Sequence, residues 1–274
     1  MAYVVACHSG QNTQKQGAEK SPKVTNAMRN DKGVLSKNGI TLTPVSSPDF
    51  PDARLAPRIP LGGSKLPSGK IGFEFDVKNY ELGNQTPDAE QKMCANAAKG
   101  QHIHHILNGE PYTAHYTPTF EKELKDGNYV SLAFLSRSYH ESIKHKSAYT
   151  LNQFSVGKGE SKPVESAALK QPLLFYSRPK GDYIGEKEIS KVLLDFYLVN
   201  TTLSPKGNRV RATVNGTAFL IDQWQPYLME GLLEGENTIQ LELIDKDGHL
   251  IEGLYNSTTR KINLYKQEPI KNQK

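Results

Sequence analysis

Six of the eight histidines fall between positions 102 and 145: His102, His104, His105, His115, His140 and His145. His102 and His104 stand two apart in Gln101-His-Ile-His-His-Ile106, a run that reads as a strand, so their rings project from one face about 7 Å apart at the backbone. Imidazoles at that spacing chelate Zn²⁺ or Cu²⁺, and His115, beyond the Asn108-Gly109 turn, is expected to supply a third nitrogen. An open position on such an ion would permit hydrolysis, although no residue of the sequence stands out as its general base. The competing reading is a solvated strand face whose histidines are ordinary polar residues.

A second chemical locus is Leu135-Ser-Arg-Ser-Tyr-His-Glu-Ser-Ile143. Arg137 there has the charge and fork geometry to hold a phosphate, and His140 and Glu141 follow it in a loop. Tyr112, Tyr116 and Trp224 are flat amphipathic plates of the kind that meet a protein, peptide or glycan ligand, the lone Trp also being a natural core or edge plug. Gly-x-Ser-x-Gly, His-Glu-x-x-His and Walker-type loops do not occur in the sequence. Ser138, His140 and Glu141 are neighbours in sequence, whereas the members of a catalytic triad converge from separate segments. The expectation is a binding protein, not an enzyme.

These residues sit on an internal duplication. Lys99-Gly100 through Asn108-Gly109-x-x-Tyr112 recurs 107 positions later as Lys206-Gly207 through Asn215-Gly216-x-x-Phe219. Phe73-Glu-Phe-Asp-Val-Lys-Asn79 likewise parallels Leu194-Asp-Phe-Tyr-Leu-Val-Asn200. Apolar and polar residues alternate in Phe73–Val77 and in Thr238-Ile-Gln-Leu-Glu-Leu243, the period of a strand with one buried face. Asn108-Gly and Asn215-Gly supply the left-handed backbone of tight hairpin turns. Short strands at this density predict an all-β chain of two tandem immunoglobulin-like or fibronectin-like β-sandwiches. The insertion Asp88–Ala98, absent from the second copy, carries Cys94 and is expected to form a short helix over a sheet edge.

The second copy also serves as a control. Shifting by 107 converts His102 to Arg209, His104 to Arg211 and His115 to Asp222, while Ile103 becomes Val210. The His102/His104 face is therefore expected to be the polar, solvated side of its strand, and any metal site would belong to the first copy alone.

The predicted boundaries are residues 1–38 as a start and flexible tether, 39–157 as the His-rich first sandwich, 158–170 as a linker, 171–266 as the second sandwich and 267–274 as a polar tail. The net charge of +5 comes from the ends: residues 1–40 and 261–274 hold ten Lys or Arg against three acids, leaving about −2 between them. A basic tail of this kind is not the clustered folded surface that nucleic acid requires. No apolar run reaches the ~18 residues of a membrane span.

Val4-Val-Ala-Cys7 resembles the lipobox of bacterial lipoproteins, and a polar, unpatterned stretch follows at once. With so little before Cys7, such a lipoprotein would begin upstream of Met1. The resemblance implies a lipid on Cys7, a membrane as partner and a place in the bacterial cell envelope. Cys94 would then be a free thiol, with a Cys7–Cys94 disulfide and two unlinked thiols as the alternatives. Gly231 through Gly248 resembles the penultimate hairpin of immunoglobulin-like and fibronectin-like accessory domains of secreted bacterial proteins. The Ser136-Arg137…His140 segment is similar to the phosphothreonine-binding loop of forkhead-associated domains, with one extra residue before the histidine. The first copy as a whole resembles Bacteroidetes-type lipoproteins, some labelled phosphopeptide-binding.

Overall fold

A computed structural model describes residues 27–158 and 165–269; Cys7 and most of the expected tether lie outside the described residues. The chain first lays down β1 (Met28–Arg29), β2 (Leu35–Lys37) and β3 (Ile40–Pro44). The first copy follows as β4 (Arg54–Ile59), β5 (Lys65–Leu66), β6 (Gly69–Lys78), β7 (His102–Leu107), β8 (Thr113–His115), β9 (Thr119–Leu124), β10 (Gly127–Ser136) and β11 (Tyr149–Val156). The second copy is β12 (Leu173–Arg178), β13 (Gly181–Ile184), β14 (Val192–Val199), β15 (Arg209–Val214), β16 (Thr217–Ile221), β17 (Tyr227–Glu230), β18 (Gly235–Ile244) and β19 (Ser257–Tyr265).

The two copies match strand for strand. Five-stranded sheets run in the orders β5-β11-β10-β7-β8 and β13-β19-β18-β15-β16, and β4-β6-β9 faces the first as β12-β14-β17 faces the second. Each is a fibronectin III-like sandwich. Asn79 and Asn200, which end β6 and β14, share the left-handed backbone (φ +54° and +56°), as do Asn108 and Asn215 in the hairpin turns. The inserted segment contains one 3₁₀ turn, Ala89–Gln91, with Cys94 buried beside Tyr139.

The first sandwich begins later than the sequence suggested. Ile40–Pro44 pairs with β17 (Met229↔Leu42, Leu228↔Thr43), so β1–β3 extend a sheet of the second sandwich to six strands before the chain crosses to the first. The cause is the core that these residues join: Leu35, Ile40 and Leu42 are buried among Val192, Leu194, Tyr227 and Met229. The end of the expected tether is thus strand, and Arg29 pairs with Asp222 at 2.6 Å.

The sandwiches are docked face to side. Ile106, Val130, Leu132 and Phe134 leave the outer face of β7 and β10 and bury against Leu173, Phe175, Tyr197 and Val199 of β12 and β14. Those strands are therefore covered on both faces, and all eight residues of β14 are buried. Phe134 stacks on Tyr197 (4.7 Å between centroids) and Trp224 meets Tyr197 edge-on at 5.1 Å. Polar pins fix the register. The fully buried Asp195 accepts from Ser142 N (3.0 Å) and pairs with Lys144, while Tyr197 donates to Ile143 O at 3.1 Å.

The equivalent free faces are polar. Where the first copy has Ile106, Val130, Leu132 and Phe134, the second has Thr213, Thr238, Gln240 and Glu242. Where the second has Leu173, Phe175, Tyr197 and Val199, the first has Arg54, Ala56, Asp76 and Lys78.

Candidate functional site

Alternation along β7 sends His105 into the first core and His102 and His104 to the opposite face. His105 meets Phe73 at 4.6 Å, and its Nε2 lies 2.9 Å from Ser131 Oγ. The other face is not solvated, which corrects the expectation drawn from Arg209 and Arg211. His102 and His104 are 0% exposed because the second sandwich closes over them, bringing Ser177 Oγ to 3.4 Å from His104 Nδ1.

Three rings converge there. His102 Nε2 lies 2.9 Å from His104 Nε2 and 3.0 Å from His140 Nδ1. His115 is not among them. Opposite Ile103 in the ladder, it points to the other side of the sheet and stacks on Phe120 at 3.3 Å. Its expected place is taken by His140, which the Ser136–Ser142 loop delivers. That loop is closed by Arg137 N donating to Glu141 O and His140 N to Arg137 O, with His140 in the left-handed region at φ +68°.

Tyr112 is buried and lies flat on His104 (3.5 Å, 14°), its hydroxyl 3.3 Å from His140 Nδ1. Tyr116, half-buried, is 5.1 Å from His102. Gly100 sets the first ring: at φ +81° it passes so close to Asn84 that a Cβ would stand 2.5 Å from Asn84 O, and its carbonyl sits 2.8 Å from His102 Nδ1. Burial drives His102 down to about 4 and holds His104 and His140 well below the ordinary imidazole range, with Arg178 adding to each. Burial thus favours the uncharged form of all three rings.

Two cations of the second copy, which sequence reasoning missed, border the cluster. Arg178 donates to Tyr183 Oη at 2.9 Å and lies over the Tyr112 ring, while Lys180 donates to Tyr112 O at 2.7 Å. Their only signal was position: Arg178 ends a strand whose apolar residues were assigned to the second sandwich alone.

Arg137 and Trp224 meet elsewhere, in an open cleft of about 660 Å³ between the sandwiches whose walls include Ser46, Ser47, Phe50 and Gln225. Arg137 is buried and engaged: Nη1 pairs with Glu141 Oε1 at 2.8 Å and donates to Ser142 O, while Nε donates to Pro48 O. A phosphate would have to displace Glu141 to use that fork. Glu141 Oε2 accepts from Ser47 Oγ at 2.6 Å, and burial raises its carboxyl above the usual range against the pull of Arg137 and Lys144. Trp224 Nε1 donates to Phe196 O at 3.0 Å, leaving the half-buried ring as part of the cleft wall. Tyr112, Tyr116 and His140 belong to the histidine cluster and do not line this cleft.

Among the described residues no helix is long and apolar enough to cross a membrane. No protein-family model matches the chain, and no curated protein matches it. Solved structures similar to it include the fibronectin(III)-like modules of Clostridium thermocellum CbhA (15% identity over 77% of this chain and 95% of that one, TM-score 0.27). Another is the Bacteroides ovatus mixed-linkage glucan utilization locus protein SGBP-B, in complex with a heptasaccharide (14% identity, TM-score 0.22). It is matched over 83% of this chain, which spans 48% of its length. A third is the central fibronectin-III array of RIM-binding protein (10% identity over 81% of this chain and 73% of that one, TM-score 0.26).

Proposed function

We propose that the protein is a non-catalytic binding module of the bacterial cell envelope, held to the membrane by a lipid on Cys7, and that its interdomain cleft takes an uncharged polar chain such as an oligosaccharide. The observation that carries this reading is the charge balance of the cleft. Arg137 is cancelled by Glu141 and Lys144 by Asp195, and the exposed Lys146 is matched by the exposed Asp49. What remains is hydroxyl, amide and carboxylate acceptors beside the rings of Trp224 and Phe50, a set that suits sugar hydroxyls above and apolar sugar faces below. Glu141, tied to Arg137 and Ser47, serves as an acceptor and not as a proton donor. The envelope tether rests on the Val4-Val-Ala-Cys7 motif and the polar stretch behind it.

Calorimetric titration with a panel of neutral oligosaccharides and phosphopeptides tests the proposal. Saturable binding of a neutral glycan is expected, lost in Ser46→Arg, an exposed cleft position whose substitution leaves the thermal midpoint in place. Binding of phosphopeptides alone, or glycan binding indifferent to Ser46→Arg, overturns it.

A further inference from the structure

We infer that His102 Nε2, His104 Nε2 and His140 Nδ1 form a binding site for one borderline divalent transition-metal ion, zinc or copper, at the junction of the two sandwiches. The site is separate from the cleft and does not depend on what the cleft binds.

Proton counting is the first argument. Gly100 O can only accept, so the 2.8 Å contact puts the proton of neutral His102 on Nδ1 and leaves Nε2 a bare lone pair facing the centre. His104 Nε2 and His140 Nδ1 both point at that lone pair, from 2.9 and 3.0 Å. Protonating both aims two N–H groups at one acceptor. Leaving either bare sets two lone pairs about 3 Å apart. Three imidazole nitrogens therefore crowd one point, and a cation there accepts all three lone pairs together. Two of the three outward nitrogens already have the partners that ligation needs: Gly100 O for His102 Nδ1 and Ser177 Oγ for His104 Nδ1.

The backbone is the second argument. His140 occupies the left-handed region at φ +68°, and the equivalent residue of the second copy, in a loop closed by the same pair of bonds (Asp245 N to His249 O), is Gly248 at φ +90°. That conformation is free of cost for glycine and costs other residues a little, and the first copy holds an imidazole there. The ring is what the position keeps.

Three neutral donors leave the charge of the ion uncancelled, and Arg178 and Lys180 oppose it. The Tyr112 ring, flat on His104, covers one side of the site, with its hydroxyl 3.3 Å from His140 Nδ1. His140 and Tyr116, both half-buried, are less enclosed than His102, His104 and Tyr112.

The test uses the full chain, treated with chelator and titrated with ZnCl₂ and with CuSO₄. One equivalent of at least one metal is expected to bind, raising the thermal midpoint. In His140→Gly, which restores the residue that the backbone prefers, affinity should fall at least about 100-fold. His115→Ala, on the opposite face, and Asp247→Ala, in the exposed Asp245/Asp247/His249 group, should leave it unchanged. Equal affinity in His140→Gly, or no binding of either ion by the wild type, overturns the assignment.

Discussion

Replacing Phe134 by Ala would test whether the two sandwiches behave as one folding unit. Phe134 is 0% exposed, stacks on Tyr197 across the junction and also abuts His104 at 5.2 Å, so truncation removes a ring from a core that has atoms of both copies around it. Deleting a buried aromatic costs about 3–5 kcal/mol. At about 2–4 °C per kcal/mol for a chain of this length, the unfolding midpoint should drop by about 6–20 °C. The lone tryptophan makes the junction visible. Trp224 sits edge-on to Tyr197, so its fluorescence reports undocking, while far-UV circular dichroism reports the sheets of both copies. In the wild type the two signals should move together, because β10 and β14 each serve a sandwich core and the shared one. A wild-type fluorescence transition that precedes the dichroism transition would show that the domains separate before they unfold. That result, or a midpoint shift below about 2 °C in the variant, would refute the coupling.

Asp195→Asn leaves Lys144 half-buried without its counter-charge and should cost about 3–5 kcal/mol in urea titrations, with part recovered by Lys144→Met in the same chain. Gly231→Ala places a Cβ 2.0 Å from Gly39 O at a residue with φ +81°; β3 should loosen from β17, seen as new protease cleavage between residues 27 and 44 in a chain whose sandwiches stay resistant. Burial lifts the Cys94 thiol to about 11 from 9.0, so the fold holds the proton more tightly than the unfolded chain does. The linked stability is complete below pH 9 and is lost as pH rises through about 11. Alkylation at pH 7.5 should accordingly be slow in the native protein and fast in urea, and equal rates would disprove the sheltered position.

The repeat made the sheets legible, because the strands of one copy recur in the other, Asn79 as Asn200 before the insertion and Asn108 as Asn215 after it, and the Asn-Gly turns fix the hairpins. The docking was harder to read, although its trace is present. Val192-Leu-Leu-Asp-Phe-Tyr-Leu-Val199 does not alternate, as a strand covered on both faces should not, whereas its counterpart Phe73–Val77 does. The error at His102 and His104 had the same root. Arg209 and Arg211 are partly exposed, with Arg211 paired to Glu242, and the analogy carried that exposure to the first copy. The junction buries the β7/β10 face of the first copy against the β12/β14 face of the second, so the same face is not buried in both. His140 was noted in its loop but not joined to the pair, since nothing local announces that Ser136–Ser142 folds back over β7. The addition of β1–β3 to the second sandwich is a long-range pairing with no local signature at all.

The junction unites unlike faces, so its symmetry is that of a chain and not of a closed ring, and nothing in the contact itself limits growth to two links. The two faces left free are of a different kind. Thr238, Gln240 and Glu242 present hydroxyl, amide and carboxylate where Val130, Leu132 and Phe134 present hydrocarbon, and Asp76 and Lys78 guard the other end in place of Tyr197 and Val199. A further copy arriving at either end would have to strip water from groups that it could not satisfy. The duplication thus made one apolar junction, and each copy turns toward water the face with which the other copy meets it.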